Sequence, residues 1–260
     1  MLLQTAAAYS EHGLRLRIGD PGRLYSCLLR GDAESSFQTG GGMSVTDAYM
    51  FMTISRHLTP STVFVIGNAC GISTLSLAEI FPMATVDAID NETEGPDSHW
   101  GTELTRAIAH KYFPKVNVTV GSSPQQLKEA MRAGSYDLVF VDGLHTNEQV
   151  RLDYHGVKPF LSERCVVVFH DVALTRMEVS WNKIKLDAAA SGFSGFDATF
   201  TQFGSGILSR NVPDLESFLT LTCGSFSDIS AGYHLGVPPR GILDLSLRRA
   251  YRGIRYRLKL

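Results

Sequence analysis

Asp142 and His145 follow the apolar run Val139-Phe140-Val141, and His170 and Asp171 follow Val166-Val167-Val168-Phe169. A carboxylate and an imidazole three residues apart, with a second such pair after the next apolar run, can orient a base, move a proton or take a divalent cation. A third run, Val63-Phe64-Val65-Ile66, leads into Gly67-Asn68-Ala69-Cys70-Gly71-Ile72-Ser73-Thr74. Glycines there let the backbone turn sharply and approach a ligand closely. Position 69 is alanine and no Gly-Lys-Ser/Thr follows, so neither the dinucleotide fingerprint nor a phosphate-binding loop is present and a pyrophosphate is disfavoured. Asp90 closes the next apolar run, where an acid accepts hydrogen bonds from ribose hydroxyls. Ser122 and Ser123, after Val116–Val120, stand where an adenine ring would lie. Each feature has a plainer reading. The glycines fit tight packing of a helix on a strand, Asp142 a helix N-cap that Thr146 serves equally, and His145 a solvated loop residue. Their shared place at strand ends favours function.

The elements that would position these residues alternate. Ser44 precedes a helix with one apolar face of Val45, Ala48, Tyr49 and Met52 and a second stripe of Phe51, Ile54 and Leu58, ending at Thr59-Pro60. Strands are expected at 62–67, 85–90, 116–120, 136–141 and 165–169. The intervening helices are expected at 73–81, up to 112, at 124–133 with Ser122-Ser123 as cap, at 146–161, and at 176–190. Thr199–Phe203 and Gly206–Ser209, joined by Gly204-Ser205, read as a hairpin. The fold class is therefore α/β: a doubly wound, mostly parallel sheet with a C-terminal antiparallel hairpin. The organisation is an irregular or partly helical lead-in over 1–40, a main domain over 41–212, and an extension over 213–260.

Composition narrows the function classes. The chain has 260 residues, 44% hydrophobic and 19% charged, with net charge −2, which fits one sizeable soluble domain and no general nucleic-acid binder. The four cysteines form no CxxC pair, which disfavours zinc or a disulfide scaffold and suits a reducing, cytoplasmic setting. No apolar run reaches membrane-helix length and the start lacks a signal-peptide pattern. Residues 248–260 hold Arg248, Arg249, Arg252, Arg255, Arg257 and Lys259 and no acid, with Leu247, Tyr251, Ile254 and Leu258 at helical spacing. A weak membrane-surface contact is one reading of that helix; packing on its own domain with solvated arginines is the favoured one.

Val65-Ile66-Gly67-Asn68-Ala69-Cys70-Gly71-Ile72-Ser73 with Asp90, Gly121-Ser122-Ser123 and Asp142 resembles the class I S-adenosylmethionine-dependent methyltransferases, which are Rossmann-like. More narrowly, Val141-Asp142-Gly143-Leu144-His145-Thr146 with Phe169-His170-Asp171-Val172 is similar to the catechol O-methyltransferase-like group and its macrocin-type sugar O-methyltransferase branch. The resemblance spans about residues 40 to 210. It implies that Gly67, Asn68, Ala69 and Gly71, with Ser73 nearby, meet the methionine part of S-adenosylmethionine. It also implies that Asp90, with Asn91, holds the ribose, that Ser122 and Ser123 border the adenine, and that Met43 and Ser44 close over the cofactor. Asp142, His170 and Asp171 fall on the metal-ligand positions, and His145 on the general base; Asp142 also borders the cofactor. The implied reaction is O-methylation of a small hydroxylated acceptor, a sugar or natural product, with Mg2+ or Mn2+ as metal. Relatives often assemble, so a homo-oligomer is expected.

His170 departs from that pattern, since the group carries an acid there. Imidazole is a poor magnesium ligand and suits manganese, iron or zinc, so this residue is open to three roles: ligand, second acid/base or hydrogen-bond donor to backbone. Two further function classes stay in view, a hydroxylase-like iron site built on Asp142, His170 and Asp171, and a non-catalytic cofactor-binding scaffold. A nucleic-acid methyltransferase is disfavoured, as no Asn/Asp-Pro-Pro-Tyr/Phe motif is present. His99, Trp100 and Trp181 are candidates for a pocket wall or for core, and Asp153 and Glu148 read as ordinary helix-face charges.

Overall fold

Apolar runs without polar alternation are buried on both faces, the pattern of parallel strands covered by helices. The computed structural model describes residues 2–17, 27–30, 38–40, 42–93 and 98–226. In chain order the elements are α1 (Leu3–Glu11), β1 (Leu14–Arg17), β2 (Cys27–Arg30), β3 (Gln38–Gly40), α2 (Val45–Ile54), β4 (Thr62–Ile66), α3 (Ile72–Ile80), β5 (Thr85–Asp90) and α4 (Ser98–Tyr112). They continue with β6 (Val116–Val120), α5 (Leu127–Ala130), β7 (Tyr136–Val141), α6 (Asn147–Val157), β8 (Leu161–Phe169), α7 (Glu178–Ala189), β9 (Ser194–Ala198), β10 (Ser205–Arg210) and α8 (Pro213–Thr222).

The main sheet has strand order β6-β5-β4-β7-β8-β10-β9. The first five strands are parallel, and β10 runs antiparallel to β8 and β9. This is the doubly wound α/β architecture with a C-terminal antiparallel hairpin. Side chains alternate across the sheet. Val63, Val65, Leu138, Phe140, Val166 and Val168 pack with Phe51, Leu75 and Ile108 on one face. Phe64, Ile66, Val139, Val141, Val167 and Phe169 pack with Tyr154 and Trp181 on the other. Trp181 is thus a core residue, its indole N–H donating to Asp197 at 2.7 Å.

Four expectations are corrected. The lead-in, read as irregular or partly helical, is helical over α1 and, among its described residues, adds an antiparallel sheet of order β1-β2-β3 that was not expected. In α2, Ala48, Met50, Phe51 and Ile54 are buried, and Leu58 just beyond it as well, but Tyr49 and Met52 are exposed, so one stripe faces the core rather than two. The expected helix 124–133 shrinks to α5, because the Ser122 amide is capped by the Gln126 side chain at 2.8 Å and neither serine caps a helix. The first arm of the hairpin is β9, five residues earlier than read. Thr199–Phe203 is instead the connecting loop, closed by the Thr201 hydroxyl, which accepts the Ser205 amide and lies 2.9 Å from Ala198 O.

The long helix expected over 146–161 is α6, capped by Thr146, whose hydroxyl accepts the Gln149 amide. It tightens into a single 3-10 turn at Lys158–Phe160, where Pro159 lacks an amide donor. Among the described residues no helix is long and apolar enough to cross a membrane. The basic segment 248–259 lies outside the described residues.

Candidate active site

Strand order reverses between β4 and β7: the chain winds outward to β5 and β6 on one side and to β8 on the other. A crevice opens outside the strand ends at such a point. Gly67 sits there at φ 92°, and a Cβ would stand 2.2 Å from the Asp142 carbonyl oxygen, so only glycine lets the β4 loop pass the end of β7. The crevice holds a cavity of about 160 Å³. Of the expected cofactor residues, Gly67, Asn68, Ala69, Ser73, Asp90, Asn91, Ser123 and Asp142 line it.

Met43, Ser44, Gly71 and Ser122 do not line it. Met43 is buried beside it, its amide donating to the Ser73 hydroxyl at 3.0 Å. Ser44 is the N-cap of α2. Gly71 is the N-cap of α3, packed against Thr105. Gly42, next to Met43, does face the cavity. Asp90 also makes contacts within the fold that the sequence did not reveal. Its Oδ2 accepts the Asn68 and Ala69 amides at 2.8 and 2.7 Å, so the β5 acid shapes the β4 loop.

At the β7 and β8 ends the four chemical residues converge. His170 is 3% exposed, and Nδ1 lies 2.9 Å from Asp142 Oδ1 and 3.2 Å from Asp171 Oδ1. Its other nitrogen, Nε2, lies 3.0 Å from Oδ2 of Asp47. His145 Nε2 stands 3.3 Å from Asp142 Oδ1, and its Nδ1 3.8 Å from Asp171 Oδ2. The Phe140 and Phe203 rings meet His170 edge-on. Asp171 holds a left-handed backbone, φ 55°, a conformation uncommon outside glycine that concentrates at functional sites.

Asp47 is 1% exposed and was missed. It is the N3 residue of the α2 capping box, accepting the Ser44 amide at 2.9 Å with the same oxygen that meets His170. The sequence shows the Ser-x-x-Asp cap but nothing of a partner 123 residues away.

Burial works against charge at Asp47, Asp142, His145 and His170, but opposite charges prevail. Burial alone would lower His170, yet Asp171, Asp142 and Asp47 lift it well above its ordinary value. His145 is likewise raised, by Asp171 and Asp142 against burial. Burial would raise Asp142, but His170 and His145 hold it well below the usual carboxylate range.

The donor set is compatible with a divalent cation. One ligand atom each from Asp142, His145 and His170 lie within 4.8 Å of one another. Two buried atoms of the cluster, His145 Nε2 and Asp171 Oδ1, have no hydrogen-bond partner, a deficit that a ligand would fill. The Asp47 contact to Nε2 leaves His170 Nδ1 facing the cluster, in the way that a carboxylate on the far nitrogen orients a metal-binding imidazole.

Asp153 and Gln149 also line the cavity. Asp153 is no ordinary helix-face charge: it is 1% exposed. The signal was its place among Val150, Tyr154 and Val157, the buried stripe of α6.

Residues 64–172 match the model of a family described as a methyltransferase domain. No curated protein matches the chain in sequence. Solved structures share the fold. The S-adenosylhomocysteine-bound Podospora anserina methyltransferase PaMTH1 is 15% identical, covering 65% of this chain and 80% of its own, with a TM-score of 0.53. The O-methyltransferase TomG of Streptomyces achromogenes, from tomaymycin synthesis and in complex with S-adenosylmethionine, is 18% identical over 65% and 82%, with a TM-score of 0.51. An O-methyltransferase of Bacillus cereus in complex with S-adenosylhomocysteine is 14% identical over 65% and 83%, also at 0.51.

Proposed function

We propose that this chain is an S-adenosylmethionine-dependent O-methyltransferase acting on a hydroxyl of a small acceptor, with a sugar or sugar-bearing natural product as the acceptor class. The observation that carries this reading is a single cavity joining the Gly67 loop and Asp90 to Asp142 and His145. The match of residues 64–172 to a methyltransferase domain supports it.

S-adenosylmethionine supplies an already activated methyl group, so the protein's work is positioning and proton removal. The Gly67–Ser73 loop would hold the amino-acid portion and Asp90 the ribose. His145, at the cavity wall beside two acids, takes the proton of the acceptor hydroxyl through a ring nitrogen. Asp142 and Asp171 steady the imidazolium that results. His170, held by Asp47, keeps Asp142 ionised and in place. A divalent cation, where used, would be held by Asp142, Asp171 and His170 Nδ1, and would lower the pKa of an acceptor hydroxyl. Imidazole among the donors favours manganese, iron or zinc over magnesium.

Isothermal titration of the full chain with S-adenosylmethionine and S-adenosylhomocysteine tests the cofactor. A methyl-transfer assay across hydroxylated glycosides then tests the acceptor class. Saturable binding of both nucleosides is expected, and absence of binding, with or without Mn2+, overturns the reading.

A further inference from the structure

The turn at the end of β4 has a shape that its own residues do not all favour. Gly67, Ala69 and Gly71 hold left-handed backbones, at φ 92°, 46° and 84°. Alanine, unlike the two glycines, resists that conformation. The Gly71 amide closes the turn on the Asn68 carbonyl at 2.7 Å. Such a form lasts only where its surroundings over-determine it.

Three anchors do so. Asp90 accepts the Asn68 and Ala69 amides. From α4, Gly101 lies so close to the Ala69 carbonyl oxygen that a Cβ there would stand 2.5 Å from it, and Thr105 packs on Gly71. The third anchor comes from α1, outside the segment that matches the methyltransferase domain: the Tyr9 hydroxyl donates to the Cys70 carbonyl at 2.7 Å, across 61 positions of sequence. Tyr9 is completely buried. Burial raises its phenol well above the ordinary value, so it stays protonated and donates.

The helix that carries Tyr9 is itself strapped across the two helices flanking the turn. Glu79 of α3 accepts the Thr5 amide at 2.8 Å and the Thr5 hydroxyl at 2.7 Å. The Gln4 side chain donates to the Tyr112 carbonyl at the end of α4 at 3.3 Å. Cys70 lines the cavity, whereas Tyr9 lies in the core with Ile72 and Leu75. The bond therefore draws the Cys70 carbonyl away from the crevice.

We propose that Tyr9 is a positioning residue for the methyl donor: its hydroxyl, acting through the Cys70 carbonyl, holds the 68–71 turn in the form that receives the amino-acid portion. The assignment rests on the cofactor reading above and deepens it by bringing α1 into the site. The amino-acid portion ends in a carboxylate. Released from Tyr9, the Cys70 carbonyl is free to swing its oxygen toward the crevice, where it would repel that carboxylate. The ribose and base, held by other elements, would not sense the change.

The test is isothermal titration of the full chain with S-adenosylhomocysteine and with 5′-methylthioadenosine, which lacks the amino-acid portion. Wild type, Tyr9→Phe and Glu79→Ala are compared, with melting curves confirming the fold. Tyr9→Phe keeps the ring and removes only the donor. It is expected to weaken S-adenosylhomocysteine about 5- to 20-fold, the effect of losing one buried hydrogen bond that holds the binding form, while 5′-methylthioadenosine behaves alike with both proteins. Glu79→Ala loosens α1 without touching the turn, and should lower the melting temperature with both affinities within about two-fold of wild type. Wild-type affinity in Tyr9→Phe, equal weakening of both nucleosides, or equal weakening in Glu79→Ala overturns the assignment and leaves the cofactor reading intact. A wild type that binds neither nucleoside overturns both.

Discussion

Asp153→Asn should make the protein more stable at neutral pH. A carboxyl whose pKa goes from its ordinary 3.8 to about 6 on folding binds more protons in the folded than in the unfolded chain between those values. Stability therefore falls as pH rises through that window. At 1.36 kcal/mol per pKa unit, the ionised group costs the fold about 3 kcal/mol at pH 7.5, and the cost shrinks to about half of that by pH 5 as the folded carboxyl protonates. Asparagine removes the ionisation, while its carbonyl still accepts from Ser123 and Gln149. With roughly 2–4 °C per kcal/mol for a domain of this size, the variant should melt about 6–12 °C higher at pH 7.5 and show a smaller gain at pH 5. Thermal unfolding followed by circular dichroism at the two pH values is sufficient. A variant that melts at or below the wild type at pH 7.5, or a gain that is the same at both pH values, refutes the reasoning.

Three other outcomes follow from the site. His145→Gln should lower methyl transfer by about 10²- to 10⁴-fold with S-adenosylhomocysteine affinity within a few-fold of wild type, as read by turnover and titration on the same preparation; unchanged turnover removes His145 from the reaction. Asp47→Ala leaves the buried His170 imidazolium short of a partner and strips the α2 cap, which should cost about 3–5 kcal/mol, measured by denaturant unfolding; a loss under 1 kcal/mol would show that the pair is not formed. Gly67→Ala meets the Asp142 carbonyl at 2.2 Å, so a folded variant with wild-type melting and cofactor binding would contradict the close approach of the two strand ends.

The five parallel strands were legible because each is a short run rich in apolar and β-branched residues bounded by polar or glycine residues, and Thr85–Asp90, Val116–Val120 and Tyr136–Val141 agree to the residue. The clustered candidate residues were legible for the same reason: Asp142, His145, His170 and Asp171 lie within four residues of the ends of such runs, and a parallel sheet delivers all its strand ends to one edge. The failures have local causes. Ser122-Ser123-Pro124 reads as a helix start, yet the Gln126 side chain satisfies the Ser122 amide first and helix begins only at Leu127. Thr199–Phe203 has strand-like composition, but the pairing of Ser205 with Ala198 and Ser194 with Ser209 fixes the hairpin farther back. Asp47 and Asp153 were missed because a charge on a helix looks alike in sequence whether it faces water or a crevice. What distinguishes them is the long-range company of His170 and Ser123.

The double engagement of Asp47 ties two events together. Its Oδ2 grips the start of α2 and His170 at once, and Gly42 and Met43, just ahead of that start, bear on the cavity wall and on Ser73. Moving this segment away from the crevice would therefore strain the Asp47–His170 contact. In the reaction proposed above, a nucleoside seated beneath this segment would hold the His170 cluster in place for the acceptor. For the methyl transfer proposed above, this arrangement predicts ordered binding, with the methyl donor entering first and its demethylated product leaving last.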